Sequence, residues 1–279
     1  MKLHEYQAKR QMEKFNCPVL KGAVVTDVQS VAEVLKTVGE GPWVLKAQVH
    51  AGGRGKAGGV RVVRDVREAE SFVSGMIGKS LVTAQTGPEG LPVRTVLVEP
   101  AVTVERELYA AVLMNRKTGK PVLIVSAEGG VDIETLAATA PEKIVRVDVD
   151  PNRGLESYQA RNVAFATGLA GDLLNESVPF FKNLVHLFLS TDASLVEVNP
   201  LGVRAGKSGE RLLALDAKMT VDDNAFFRQH TLFKEADEAD LSDAERRAAE
   251  VGISYIRLEG VDWVHGERGR PRYGHHGHH

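Results

Sequence analysis

The sequence has little of several things that would narrow its function at once. One cysteine, Cys17, in 279 residues excludes a disulfide framework and any zinc or iron–sulfur site built from several thiolates. No apolar run approaches the roughly 20 residues that span a bilayer, so no membrane partner is expected. Neither sign of charge dominates: 35 Lys and Arg stand against 37 Asp and Glu, a formal net charge of −2. Composition therefore gives no reason to expect nucleic-acid binding. The opening Met1-Lys2-Leu3-His4-Glu5-Tyr6-Gln7 is amphipathic, with no apolar core of a secretory leader behind it. The expectation is a cytoplasmic protein acting on small molecules. What is present agrees: 43% hydrophobic and 26% charged residues describe a globular chain long enough to bury a large core.

Patterning predicts alternating helices and hairpins. Leu3, Tyr6, Met12 and Phe15 fall near helical spacing over 2–15, and Val28, Val31, Leu35 and Val38 predict a helix over 28–38. Short strands are expected at 23–25, 43–47, 60–63 and 95–99. Asp65 is placed to cap a helix that turns Ala69, Phe72, Val73 and Met76 to one side. Residues 108–114 and 121–126 read as strands joined by a turn, and helices follow over about 155–170 and 172–190. Ser194–Pro200 and Arg211–Asp216 are expected to pair as a hairpin around Gly202, Gly206 and Gly209. This order points to α+β layers rather than a doubly wound parallel sheet. No internal repeat is visible.

Three segments carry chemistry. Between two predicted strands lies Gln48-Val49-His50-Ala51-Gly52-Gly53-Arg54-Gly55-Lys56-Ala57-Gly58-Gly59, led by Lys46. Glycine lets backbone N–H groups turn toward an anion, and Lys46, Arg54 and Lys56 supply charge for phosphates. The loop lacks the spacing of a P-loop or of a dinucleotide fingerprint. Glu99, Glu105 and Glu107 stand at strand ends, where carboxylates can accept hydrogen bonds from an adenine amino group or ribose hydroxyls. Alternation puts Glu197 and Asn199 on one face of a strand, and Asp216 ends the expected partner strand. A carboxylate and an amide oxygen on neighbouring strands suit Mg²⁺, with phosphate and water completing the shell.

Taken together, Met1–Lys9, the loop 48–59, Glu128-Gly129-Gly130-Val131-Asp132-Ile133-Glu134, Glu197-Val198-Asn199-Pro200 and Phe227-Arg228-Gln229 resemble the β subunits of succinyl-CoA synthetase. The likeness covers about residues 1–260; malate–CoA ligase β subunits share most of it and are the alternative. The resemblance implies an ATP-grasp fold of two subdomains enclosing a nucleotide cleft over 1–245, with a lid over about 21–104. It implies ATP contacts at Lys46, Gly53, Arg54, Gly55, Glu99, Val102 (through its backbone) and Glu107. Asn199 and Asp216 fall on the Mg²⁺ positions. Glu197 falls where the family steadies a phosphohistidine presented by an α subunit, which also carries the CoA site. None of His4, His50, His186 and His230 is then the phosphorylated residue. Leu20 stands in a region tied to nucleotide choice in the family, and ATP is the expected nucleotide. The implied reaction converts succinate, CoA and ATP to succinyl-CoA, ADP and phosphate, a citric acid cycle step.

The likeness stops after Gly260. Residues 246–260 are expected to begin a truncated flavodoxin-like ligase domain, with 253–258 a strand lacking its sheet. Residues 261–279 show no hydrophobic period, and disorder is expected there. Codons compatible with this tail, read one base on, encode Ser-Ile-Gly-Cys-Met-Val-Asn-Gly-Ala-Gly-Leu-Ala-Met-Ala-Thr-Met-Asp-Ile, the family's continuation. The tail is accordingly expected to be out of frame. The chain by itself is expected to be inactive, a remnant that binds nucleotide without turnover.

Overall fold

The computed structural model describes residues 1–204, 211–235, 247–248, 253–258 and 261–265. The chain divides into two units, residues 1–225 and 226–279. The first runs β1 (Lys2–Leu3), α1 (Glu5–Lys14), β2 (Ala23–Val25), α2 (Val31–Val38), β3 (Trp43–Ala47), β4 (Val60–Val63), α3 (Val66–Met76), β5 (Ser80–Leu81) and β6 (Leu91–Pro92). It continues with β7 (Val96–Pro100), β8 (Val104–Asn115), β9 (Lys120–Ser126), α4 (Ile133–Thr139), β10 (Ile144–Asp148), α5 (Ser157–Ala166), α6 (Asp172–Ser190), β11 (Ala193–Arg204), β12 (Leu212–Ala214) and β13 (Ala217–Val221).

Two antiparallel sheets organise this unit. The smaller has the order β2-β7-β3-β4. Its strands are short and rich in valine, which suits a pleated surface. Val25, Leu45, Val63, Val96 and Val98 pack with Val31 and Leu35 of α2 and Phe72 and Val73 of α3 in one core. The Asp65 carboxylate accepts from the Glu68 amide at 2.8 Å and so caps α3 as its sequence predicts. The larger sheet has the order β1-β13-β11-β8-β9-β10, with β12 also on β11. Helix α6 packs on β8 and β11 and buries Phe180, Phe181, Leu184, Leu187 and Phe188. No helix among the described residues is long and apolar enough to cross a membrane.

Several expectations shift. The helix expected from residue 28 begins at Val31, because the Asp27 carboxylate accepts from the Ser30 amide at 2.8 Å and holds 27–30 in a turn. The strand expected over 211–216 ends at Ala214, and a further strand, β13, pairs with residues 193–198 of β11. Asp216 therefore lies in the bend between β12 and β13, not at the end of a hairpin strand. Of the expected glycine-rich turn, Gly202 is a β11 residue paired with Leu213, whereas Gly206 and Gly209 lie outside the described residues. The β11–β8 register shifts between Val198 and Leu201, so simple alternation stops at Asn199.

The second unit holds α7 (His230–Glu235), β14 (Ser254–Leu258) and β15 (Val261–His265). The strand at 253–258 was expected to lack a partner, and residues 261–265 to lack order. Instead the two pair antiparallel, Leu258 opposite Val261 and Ser254 opposite His265. Val261 and Val264 are residues that favour strands, and a two-residue link is the commonest hairpin length. Residues 266–279, with the remainder of the expected out-of-frame tail, lie outside the described residues, as do 246, 249–252 and 259–260.

Replacing Phe181, fully buried in α6, with alanine should cost about 3–5 kcal/mol in urea unfolding. The exposed Phe165 should tolerate alanine within about 0.5 kcal/mol. Equal effects would contradict this placement of the core.

Candidate functional site

The site is a charged seam between the two sheets. Lys46 lies in β3 opposite Leu97 of β7, and Glu99 lies two residues further along that strand opposite Val44. Lys46 and Glu99 are thus diagonal neighbours on one face. Both are buried, and a buried charge is costly unless it is paired. Lys46 Nζ donates to Glu5 Oε1 at 2.7 Å and to the Leu215 carbonyl at 2.6 Å, and lies 2.8 Å from Glu99 Oε2. Two hydrogen bonds and one ion pair thus surround the ammonium; Glu99 Oε2 itself accepts no hydrogen bond among the described residues.

Arg54 reaches the same place from the glycine-rich loop. Its Nη1 donates to the Ala47 carbonyl at 3.1 Å. Its Nη2 donates to Glu5 Oε2 at 2.8 Å and to both oxygens of Asp216 at 2.9 and 3.0 Å. The loop folds back on itself to allow this, the Gly59 amide donating to the Arg54 carbonyl at 2.8 Å. Gly53 has φ +77°, a left-handed conformation that suits glycine. At Gly59 a Cβ would stand 2.6 Å from Leu81 Cδ2. Gly53, Gly55 and Lys56 are exposed on the rim.

Two further residues, which sequence reasoning missed, complete the network. Glu5 and Lys9 stand one turn apart on α1. Lys9 Nζ lies 3.0 Å from Glu5 and 2.5 Å from Glu99, and donates to the Leu215 carbonyl at 2.8 Å. The apolar spacing suggested that Leu3, Tyr6, Met12 and Phe15 formed the inner stripe. Helix α1 instead buries Glu5, Gln7, Ala8, Lys9, Gln11 and Met12, a mostly polar face. The available signal was the Glu5–Lys9 spacing of four residues, which supports a helical ion pair. Nothing in the sequence says that the pair turns inward.

Burial drives the Glu5 carboxyl upward in pKa, but Lys46, Lys9 and Arg54 outweigh it and hold the group well below the ordinary 4.5. Burial would likewise discharge Lys46. Glu5 and Glu99 overcome that and push it above its ordinary value. Arg54 is raised in the same way, by Asp216 and Glu5 against burial.

The remaining predicted residues sit around this network. Asn199 and Pro200 fall between the ladder pairs Val198–Ala217 and Leu201–Ala214, opposite Leu215 and Asp216. Asn199 Oδ1 accepts from the Gly130 amide at 2.8 Å, and its Nδ2 donates to the Val131 carbonyl at 3.0 Å. Glu107 meets the same turn: its carbonyl accepts from the Gly129 amide at 2.9 Å, and a Cβ on Gly130 would lie 2.6 Å from its Oε2. Glu197 pairs across the ladder with Lys218. Burial raises its pKa against the pull of Lys218, and Glu134 and Asp216 add to the rise. Val102 is half-buried in the link between β7 and β8. Glu105 stands apart, bridged to Arg211 at 2.8 Å.

The geometry therefore gathers Lys46, Arg54, Glu99 and Asp216 into one ion-pair network, and joins Glu107 to Asn199 through the 129–131 turn. Gly53, Gly55 and Val102 add no side chain to it. Among the described residues no group of three or more His, Cys, Asp and Glu is placed to hold a metal. Asn199 and Asp216 offer an amide and a carboxylate oxygen, a hard donor pair that suits Mg²⁺ when phosphate and water supply the other ligands.

A glycine-rich basic loop over a carboxylate-bearing sheet is the layout of a nucleotide-grasping fold, and the ATP-grasp domain model matches residues 2–203. The β subunit of succinate–CoA ligase [ADP-forming] from Thioalkalivibrio sulfidiphilus is 48% identical over 260 residues, covering 93% of this chain and 67% of the relative. The same subunit from Geobacter sulfurreducens is 44% identical over 261 residues, covering 93% and 66%. The chain belongs to the ATP-grasp family and, within it, to these succinate–CoA ligase β subunits. It spans about two thirds of the length of the curated relatives it matches.

Two solved structures share the fold at low identity. ATP citrate lyase from Methanothrix soehngenii matches with TM-score 0.68 and 21% identity, over 91% of this chain and 61% of that one. The dinucleotide-forming acetyl-coenzyme A synthetase 1 of Ca. Korarchaeum cryptofilum matches with TM-score 0.58 and 18% identity, over 79% and 93%.

The depressed pKa of Glu5 has a consequence for folding. Its contribution to stability is fully present above the unfolded value of about 4.5 and is lost as pH falls through the lower folded value. Urea unfolding of the wild type between about pH 5 and pH 2 should show that loss. Glu5→Gln should have lower stability at neutral pH and a flatter acid limb. Parallel limbs would contradict an ionised, ion-paired Glu5.

Proposed function

We propose that this chain is the nucleotide-binding part of a succinate–CoA ligase. The reaction is succinate, CoA and ATP to succinyl-CoA, ADP and phosphate in the citric acid cycle, in the cytoplasm. The observation that carries the reading is the convergence of Lys46, Arg54, Glu99 and Asp216 in a chain 48% identical to such a β subunit.

In this reading Lys46 and Arg54 bind the triphosphate. They neutralise charge as the phosphoryl group moves and hold it in line, which is most of what phosphoryl transfer asks of a protein. Glu99 and Glu107 accept hydrogen bonds from the nucleoside, and Gly53, Gly55 and Val102 offer backbone groups. Asn199 and Asp216 hold Mg²⁺, whose chemistry is to screen the phosphate oxygens. Glu197 steadies the phosphohistidine of an α-subunit partner, which also brings the CoA site. The smaller sheet, within about 21–104, serves as the lid subdomain over the nucleotide cleft.

Calorimetric titration of ATP with and without Mg²⁺ tests this. The wild type should bind ATP more tightly when Mg²⁺ is present. Asp216→Ala should lose about tenfold or more of that gain, roughly 1.4 kcal/mol. An unchanged Mg²⁺ dependence in Asp216→Ala would refute the assignment.

A further inference from the structure

Glu5 is the only residue of the network that touches all three of its cations. Its carboxylate lies 2.7 Å from Lys46 Nζ, 3.0 Å from Lys9 Nζ and 2.8 Å from Arg54 Nη2. Its side chain is only 1% exposed. It uses both oxygens, Oε1 for the two lysines and Oε2 for the arginine. Lys46 and Arg54 come from different places, a strand interior and the glycine-rich loop, and Glu5 is a carboxylate that both share. Helix α1, which carries it, is fixed independently: it packs on β13 and α6. Its entry is set by the His4 amide donating to Gln7 Oε1 at 2.8 Å.

We infer that Glu5 is a positioning residue for nucleotide binding: it sets the spacing and aim of Lys46 and Arg54 toward the phosphates. This rests on the reading that those two cations receive the triphosphate. Glu5 touches no phosphate itself and acts through the two cations. Its effect follows from pre-organisation. A lysine and an arginine each lose substantial rotamer freedom when fixed, and cations fixed in advance do not incur that loss on binding.

Charge alone makes the opposite forecast. Removing a carboxylate beside two phosphate-binding cations makes the site more positive, which would strengthen binding of a triphosphate. With the network's net charge kept, a counter-ion role predicts an unchanged preference for the triphosphate and a positioning role predicts a fall.

The test measures dissociation constants of ATP and of adenosine at fixed Mg²⁺, and takes their ratio as the worth of the phosphates. Two variants of the full chain are compared with wild type. Glu5→Asp keeps the charge and shortens the reach by one methylene, so the carboxylate can no longer span all three cations. Glu5→Gln with Lys9→Met removes one buried charge of each sign, keeping the network neutral and the thermal midpoint near that of wild type. In both variants the preference for ATP over adenosine should fall about tenfold or more. A preference at or above the wild-type value in either one would overturn the role and leave Glu5 a counter-ion only. A wild-type protein that binds ATP no more tightly than adenosine would refute the nucleotide reading itself, and the positioning role with it.

Discussion

A charge-balanced network, buried except at the partly exposed Asp216, is where the pieces of the first unit meet. Lys9, Lys46 and Arg54 face Glu5, Glu99 and Asp216 at 2.5–3.0 Å, three cations against three carboxylates. Removing any one member leaves the set with one charge unbalanced, which is more costly than the net worth of an intact pair. The network also joins pieces distant in sequence: α1, the smaller sheet with its loop, and the bend between β12 and β13. The Leu215 carbonyl, accepting from Lys9 and Lys46, extends it to backbone. A buried ion-pair set is weak evidence for stability as such. Here its geometry brings Lys46 and Arg54 beside the oxygens of Asp216 and near Asn199, the arrangement on which the proposed nucleotide site rests.

The elements around the network position its members rather than decorate it. The smaller sheet fixes Lys46 and Glu99 diagonally. The larger sheet sets Asn199 opposite Asp216 by carrying one register from the Val198–Ala217 pair to the Leu201–Ala214 pair. The turn at Gly129 and Gly130 then locks the Asn199 amide from both ends. Gly129 has no room for a side chain, since a Cβ there would lie 2.4 Å from the Leu108 carbonyl oxygen. A quoted sequence motif, Glu128–Glu134, thus acquires a physical reason: two of its backbone groups orient a candidate metal ligand, as outer-shell groups do in metal sites.

Much of this was legible in the sequence because local chemistry and tertiary role agree. The glycine-rich loop flanked by strands, the Asp65 cap and the valine-rich strands each say where they belong. Asp216 was found as a residue but misplaced as an element, because Leu212–Asp216 is continuous apolar sequence with an acid at its end. Only the pairing of β11 with both β12 and β13 reveals the bend. Strand β10 was missed: Ile144–Asp148 alternates, but it follows a short helix in a segment that shows little other pattern. Glu5 and Lys9 were illegible for a deeper reason. Charged residues on a helix ordinarily face water, and only the whole fold shows that this helix turns its charges inward.

The central claim is that Arg54 and Asp216 act as one interaction across the seam, and a double-mutant cycle tests it most directly. Arg54→Ala, Asp216→Ala and the double variant would be compared with wild type by urea unfolding. The account predicts that the two single losses overlap, with a coupling above about 1 kcal/mol. Losses that add to within about 0.3 kcal/mol would contradict it.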